Sequence, residues 1–122
     1  MAIQYTAEVK DDILFVTARG FDENLEDVQN YGRGIIDLCK QSGVTLVLCD
    51  ETALEYRLGT LDTYEAGKYM SENVPILARV AIVSNPEFFS DAEFFEDVVV
   101  NRGLTLRFFS DIDTSMHWLK GA

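Results

Sequence analysis

Oxygen-bearing side chains recur wherever an apolar run of this sequence stops. Phe21-Asp22, Asp50-Glu51, Ser84-Asn85 and Ser110-Asp111 each close a hydrophobic stretch. In an alternating α/β chain the carboxyl ends of the parallel strands gather on one rim, where ligands collect. Asp22, Asp50, Glu51 and Asp111 on such a rim form a set of hard oxygen donors suited to a divalent cation, the equipment of a metal-dependent hydrolase or phosphotransfer enzyme. The same residue types also end strands and cap helices for local reasons, because Asp, Asn and Ser accept from free backbone N–H groups. The capping reading is the simpler of the two and requires no cofactor.

Other reactive side chains are sparse. His117 is the only histidine. Its ordinary pKa suits acid–base work, but it stands between Met116 and Trp118 with no nucleophile tied to it, which reads as a surface residue. Cys39 and Cys49 form no CxxC pair, and with one histidine the chain cannot complete a zinc ligand set. Both read as small, buried, reduced thiols. Tyr56-Arg57-Leu58 lies in a stretch of no clear period, 52–59. Loops held by a rigid scaffold often carry function, so Tyr56 and Arg57, with Thr60 and Thr63 beyond them, are binding candidates. The alternative has Tyr56 and Leu58 covering the sheet and Arg57 pairing with a carboxylate. Phe88 and Phe95 either pack under the sheet or form an exposed patch, and a patch implies a homodimer or a partner surface.

Charge narrows the choice of partner. The 122 residues carry 21 acidic and 10 basic side chains, a net charge of -11, without any basic run. Nucleic acids and anionic membranes are bound largely through Lys and Arg, so neither is expected as a partner, whereas a basic protein or a cation is. No stretch approaches the ~20 apolar residues of a membrane helix, and residues 1–10 lack a signal-like apolar core. A cytoplasmic protein is the expectation. Hydrophobic residues at 48% with only 2 prolines describe one globular domain over residues 1–122.

The elements that position these residues follow from periodicity. Residues 3–9 alternate, meet the turn Lys10-Asp11-Asp12 and continue into Ile13-Leu14-Phe15-Val16, an opening hairpin. Leu25, Val28, Ile35, Leu38 and Cys39 mark an amphipathic helix over 24–42, capped by Gly43. Residues 44–49 form a central strand that stops at Asp50-Glu51. Asp62 with Glu65, and Ser90 with Glu93, have capping-box spacing, with Leu61 stapling onto Ala66 and Phe89 onto Phe94. The first of these helices runs to Val74-Pro75. Residues 79–83 form another strand, and 104–108 alternate as an edge strand. A last helix, capped by Ser110 or Asp111, presents Ile112, Met116 and Leu119 inward. The expected fold is α/β: a mostly parallel sheet of about five strands with an antiparallel N-terminal hairpin strand and about four helices.

That order of elements resembles the STAS fold. Arg79-Val80-Ala81-Ile82-Val83, the run from Phe94-Phe95-Glu96-Asp97 to Asn101-Arg102-Gly103, and Arg107-Phe108-Phe109 to Trp118-Leu119 resemble small stand-alone SpoIIAA-like bacterial proteins of unknown function. The resemblance implies a non-enzymatic regulatory domain with a protein partner. It is also similar to lipid-exchange domains of the Sec14 type, which implies a small-ligand or lipid-binding module as the alternative. In anti-sigma-factor antagonists of this fold, a serine at the start of the helix after the central strand is phosphorylated. Residues 50–64 contain no serine here, and only Thr60 and Thr63 stand near that helix start. A receiver-type phosphoacceptor reading fails because Phe109-Ser110 occupies the strand end where receivers place a lysine. The working surface is therefore expected on residues 50–63 and the adjoining 84–89 loop, with Asp50, Glu51, Tyr56, Arg57, Thr60, Thr63, Ser84 and Asn85 as its candidate contacts.

Overall fold

Strands β1 (Ile3–Lys10) and β2 (Ile13–Phe21) form an antiparallel hairpin in which Lys10 faces Ile13. The two residues between them, Asp11 and Asp12, have φ of 54° and 62°. A two-residue primed turn requires this left-handed pair, and Asp tolerates it better than most residues. The structure is a computed structural model and describes residues 2–73 and 79–121.

After the hairpin come α1 (Leu25–Ser42), β3 (Leu46–Glu55), α2 (Thr60–Asn73), β4 (Arg79–Ser84), a short 3-10 turn (Pro86–Phe88), α3 (Phe89–Asn101), β5 (Leu106–Phe109) and α4 (Ile112–Leu119). Helix α1 is capped at both ends: the Asn24 side chain accepts from the Asp27 N–H at 2.9 Å, and Gly43, at φ 75°, donates to the Cys39 carbonyl at 2.8 Å. The strands form one sheet in the order β1-β2-β3-β4-β5, antiparallel at β1-β2 and parallel elsewhere. This is the expected α/β arrangement, with β3 at its centre and β5 at an edge.

Because every parallel strand is added on the same side of the one before it, right-handed crossovers carry α1, α2 and α3 to one face. Helix α4 covers the other. On the three-helix face, Val47, Cys49, Val80, Ile82 and Leu106 meet Tyr31, Ile35 and Cys39 of α1 and Val99 of α3. On the opposite face, Ile13, Leu48, Ala81, Val83 and Phe109 meet Leu119 of α4. The two cysteines are buried and free, as expected. A strand order without reversal also lacks the topological switch point at which doubly wound sheets form a crevice.

Several local expectations are corrected. Strand β3 does not stop at Asp50-Glu51 but continues to Glu55, because β2 goes on pairing with it past a bulge between Thr17 and Arg19. Strand β4 ends level with Glu51, so 52–55 are paired on one side only, which explains their weak hydrophobic pattern. The irregular stretch shrinks to residues 56–59. Helix α2 begins at Thr60, where the Gly59 carbonyl accepts from the N–H and hydroxyl of Thr63, both at 2.9 Å. Asp62 is thus inside the helix rather than its cap, and Leu61, 73% exposed, forms no staple with buried Ala66. The predicted end at Val74-Pro75 lies outside the described residues. Helix α3 starts at Phe89 directly after the 3-10 turn, without a side-chain cap. Phe89 and Phe94 are exposed, while Phe95 packs edge-on against Phe108 at 6.1 Å. Ser115 and Leu119 form the buried side of α4, and Ile112 is exposed.

Candidate functional site

Alternation along β3 turns Val47, Cys49 and Glu51 toward the three-helix face. Glu51 is only 6% exposed. Its Oε2 accepts from the Tyr31 hydroxyl at 2.8 Å and its Oε1 from the Tyr56 hydroxyl at 2.6 Å. Tyr31 comes from the apolar stripe of α1, three residues after Val28 and four before Ile35. Its ring meets Tyr5 edge-on at 5.2 Å. Tyr56 follows β3 directly and packs against Phe88 at 5.7 Å, joining the 56–59 loop to the 3-10 turn.

A second buried carboxylate fastens that loop. Asp22 Oδ1 accepts from the backbone N–H groups of Arg57 and Leu58, and the Asp22 N–H donates to the Glu55 carbonyl at 3.2 Å. Burial pushes both carboxyls above their ordinary range; the Tyr56 and Tyr31 hydroxyls oppose this at Glu51, and the Arg57 and Leu58 N–H groups oppose it at Asp22. Burial and the nearby Glu51 also hold the Tyr56 hydroxyl and the Cys49 thiol well above their usual values. The same shift at Tyr31 comes from burial first, then from Cys49 and Glu51. The tyrosines are therefore neutral donors, and Cys49 is an inert thiol.

These groups head an apolar cavity of about 110 Å³ between the sheet and α1, α2 and α3. Val47, Ile82 and Leu106 contribute from the strands, and Ile35, Met70 and Phe95 from the helices. Asp91, in the first turn of α3, is the exposed member of the lining. The volume is of the order that accommodates a single aromatic ring. An apolar group filling it would gain on the order of 2–3 kcal/mol at roughly 24 cal/mol per Å³.

The residues singled out from sequence fall into two groups. Glu51 and Tyr56 are bonded to each other, and Ser84 is buried on β4 directly beside Glu51 in register. Thr63 is buried with its hydroxyl committed to Gly59, whereas Thr60 is exposed at the start of α2. The Arg57 guanidinium lies 4.0 Å over the Phe21 ring and 2.8 Å from Glu55. Asn85 caps the 3-10 turn by accepting from the Glu87 N–H at 3.0 Å.

The acidic rim does not assemble. Asp50 faces away from Glu51 and is occupied by the Thr52 N–H and hydroxyl at 3.1 and 2.8 Å. Asp111 caps α4 through Thr114 at 2.7 Å. Among the described residues, no three His, Cys, Asp or Glu side chains stand where they could share a metal ion. Sequence reasoning missed Tyr31 and the fastening role of Asp22. The position of Tyr31 between Val28 and Ile35 was the available signal.

No family model matches the chain, and no curated protein does. Two solved structures are similar to it over nearly its whole length. One is an uncharacterized protein of the DUF3478 family with a SpoIIAA-like fold from Shewanella loihica PV-4, with TM-score 0.58 and 21% identity over 97% of this chain and 94% of that one. The other is an anti-sigma factor antagonist from Mycobacterium paratuberculosis, with TM-score 0.59 and 12% identity over the same shares. With the five-strand sheet, its antiparallel first pair and its four helices already described, these likenesses show that the chain has the SpoIIAA-like α/β fold.

Proposed function

We propose that the chain is a non-enzymatic regulatory domain that works by binding another protein, in the manner of STAS-type antagonists. Its contact surface is Tyr56, Arg57, Thr60 and Leu61 with the adjoining 84–89 loop. The observation that carries this reading is Leu61, an apolar side chain 73% exposed in the first turn of α2. It follows the loop that the Tyr56–Phe88 contact ties to the 3-10 turn. An anti-sigma factor antagonist among the fold neighbours supports the same role. The net charge of -11 favours a basic partner. The test compares proteins captured by the wild type and by an Arg57→Ala, Leu61→Asp variant, both at exposed positions. Partners lost by the folded variant support the surface, and an identical set at identical yield refutes it. Sedimentation of the two proteins reads whether a second copy of the chain is the occupant.

A second reading, a small-ligand-binding module, is favoured by the cavity beneath α1, α2 and α3 and by the buried carboxylate at its head. Ligand pockets combine an apolar lining with a few placed polar groups in this way.

A further inference from the structure

We infer that the cavity headed by Glu51 is a binding site for a small organic cation, an ammonium group carried on an apolar body about the size of one aromatic ring. The inference rests on the small-ligand reading and adds the class of ligand. Three carboxylates, Asp22, Glu51 and Asp91, belong to the lining, and no Lys, Arg or His does. Among the described residues Glu51 has no cationic partner, although it is more than nine-tenths buried. Arg57, the nearest cation in sequence, is turned onto Phe21 and Glu55 instead.

The hydrogen-bond inventory at the head of the cavity selects the same chemistry. Each Glu51 oxygen accepts one tyrosine hydroxyl, and a carboxylate oxygen has a second lone pair to offer. The tyrosine protons are already committed, so the site presents acceptors to an incoming group. An ammonium supplies N–H donors and the missing positive charge, and such charge-assisted bonds are the strong ones. A carboxylate or phosphate would meet three like charges and no cation. The apolar walls take the body of the ligand, and the tyrosine rings in the lining add attraction for a cation placed near their faces. Asp91, the exposed carboxylate of the lining, on a chain of net charge -11, draws a cation toward the cavity.

The experiment titrates three probes of one shape into the full chain by calorimetry at neutral pH: phenethylamine, 2-phenylethanol and 3-phenylpropionate. The amine should bind roughly ten-fold or more tighter than the alcohol, with the carboxylate not binding. Glu51→Gln, which keeps the shape and both tyrosine neighbours, should remove that ten-fold preference for the amine over the alcohol. Ala66→Leu, which fills the cavity, should abolish binding of amine and alcohol alike. Equal affinity for amine and alcohol in the wild type would overturn the cation inference while leaving a ligand site standing. No binding of any probe at millimolar concentration would overturn both. If Glu51→Gln does not fold, the three wild-type titrations decide the question alone.

Discussion

The face covered by α4 and the face covered by α1, α2 and α3 share one sheet, but they are closed in different ways. Under α4 the contacts are Ile13, Leu48, Ala81, Val83 and Phe109 against Leu119, and the fully buried Ser115 satisfies its hydroxyl within its own helix, on the Ile112 carbonyl at 2.7 Å. Under the three helices the core is just as apolar, yet it encloses Glu51, Tyr31 and a cavity. A buried carboxylate is expensive to desolvate, and an apolar replacement of similar volume often folds as well or better. The contrast separates a face closed by apolar packing from one that keeps a buried carboxylate beside a cavity.

The contrast can be broken by mutation, and the largest effect is expected on the α4 face. Leu119→Ala should cost about 2–5 kcal/mol, because it removes a side chain only 1% exposed from the apolar layer under α4. Chemical denaturation measures it, and a loss below about 1 kcal/mol would show that this layer is not tightly packed. A paired overpacking test follows. Ala81→Leu, at a fully buried site against α4, should cost roughly 1–3 kcal/mol, whereas Ala66→Leu, facing the cavity, should cost less than about 1 kcal/mol. Equal costs would remove the distinction between the faces.

The next test uses pH. Burial raises the folded-state pKa of Glu51 above its ordinary 4.5, so the folded protein holds that proton more tightly than the unfolded chain does. The stability this provides is complete below pH 4.5 and is lost as pH rises through the raised folded value. Thermal melts of wild type and Glu51→Gln should therefore diverge in favour of the variant from acid toward neutral pH. The Leu119→Ala difference should stay flat with pH, since no titrating side chain belongs to that cluster. A constant gap between wild type and Glu51→Gln would contradict the buried-charge account. The smallest effect is expected at Leu61→Asp, within about 0.5 kcal/mol of wild type, because the position is exposed. A larger loss would mean that Leu61 is part of the core.

Sequence was most informative where one local rule acted alone. Asp11-Asp12 between an alternating run and a continuous apolar one made a hairpin, Gly43 ended α1, and the continuous apolar run before Asp50 made a central strand. It failed where a neighbour distant in sequence decided the outcome. Strand β3 outlasts its hydrophobic pattern because β2 keeps pairing with it, and the capping-box pair Asp62 and Glu65 lost to the Gly59 carbonyl one turn earlier. Glu51 illustrates the same limit at the site. Its charge read as a strand stop, although it keeps the two-residue period of Val47 and Cys49. Only the arrival of Tyr31 from α1 and Tyr56 from the following loop makes its burial tolerable, and spacing along one segment does not encode that meeting.

The order β1-β2-β3-β4-β5 has one more consequence, which concerns synthesis on the ribosome. Spatial order equals order along the chain, so each strand leaving the exit tunnel finds its neighbour already in place. Pairings that join nearby segments need little loop closure and form quickly. The sheet can grow strand by strand as the chain emerges, with each crossover helix laid down on the same side. Leu48, Ala81 and Val83 stay uncovered until α4 arrives. During translation, then, it is the face later covered by α4 that is exposed longest to chaperones and to aggregation.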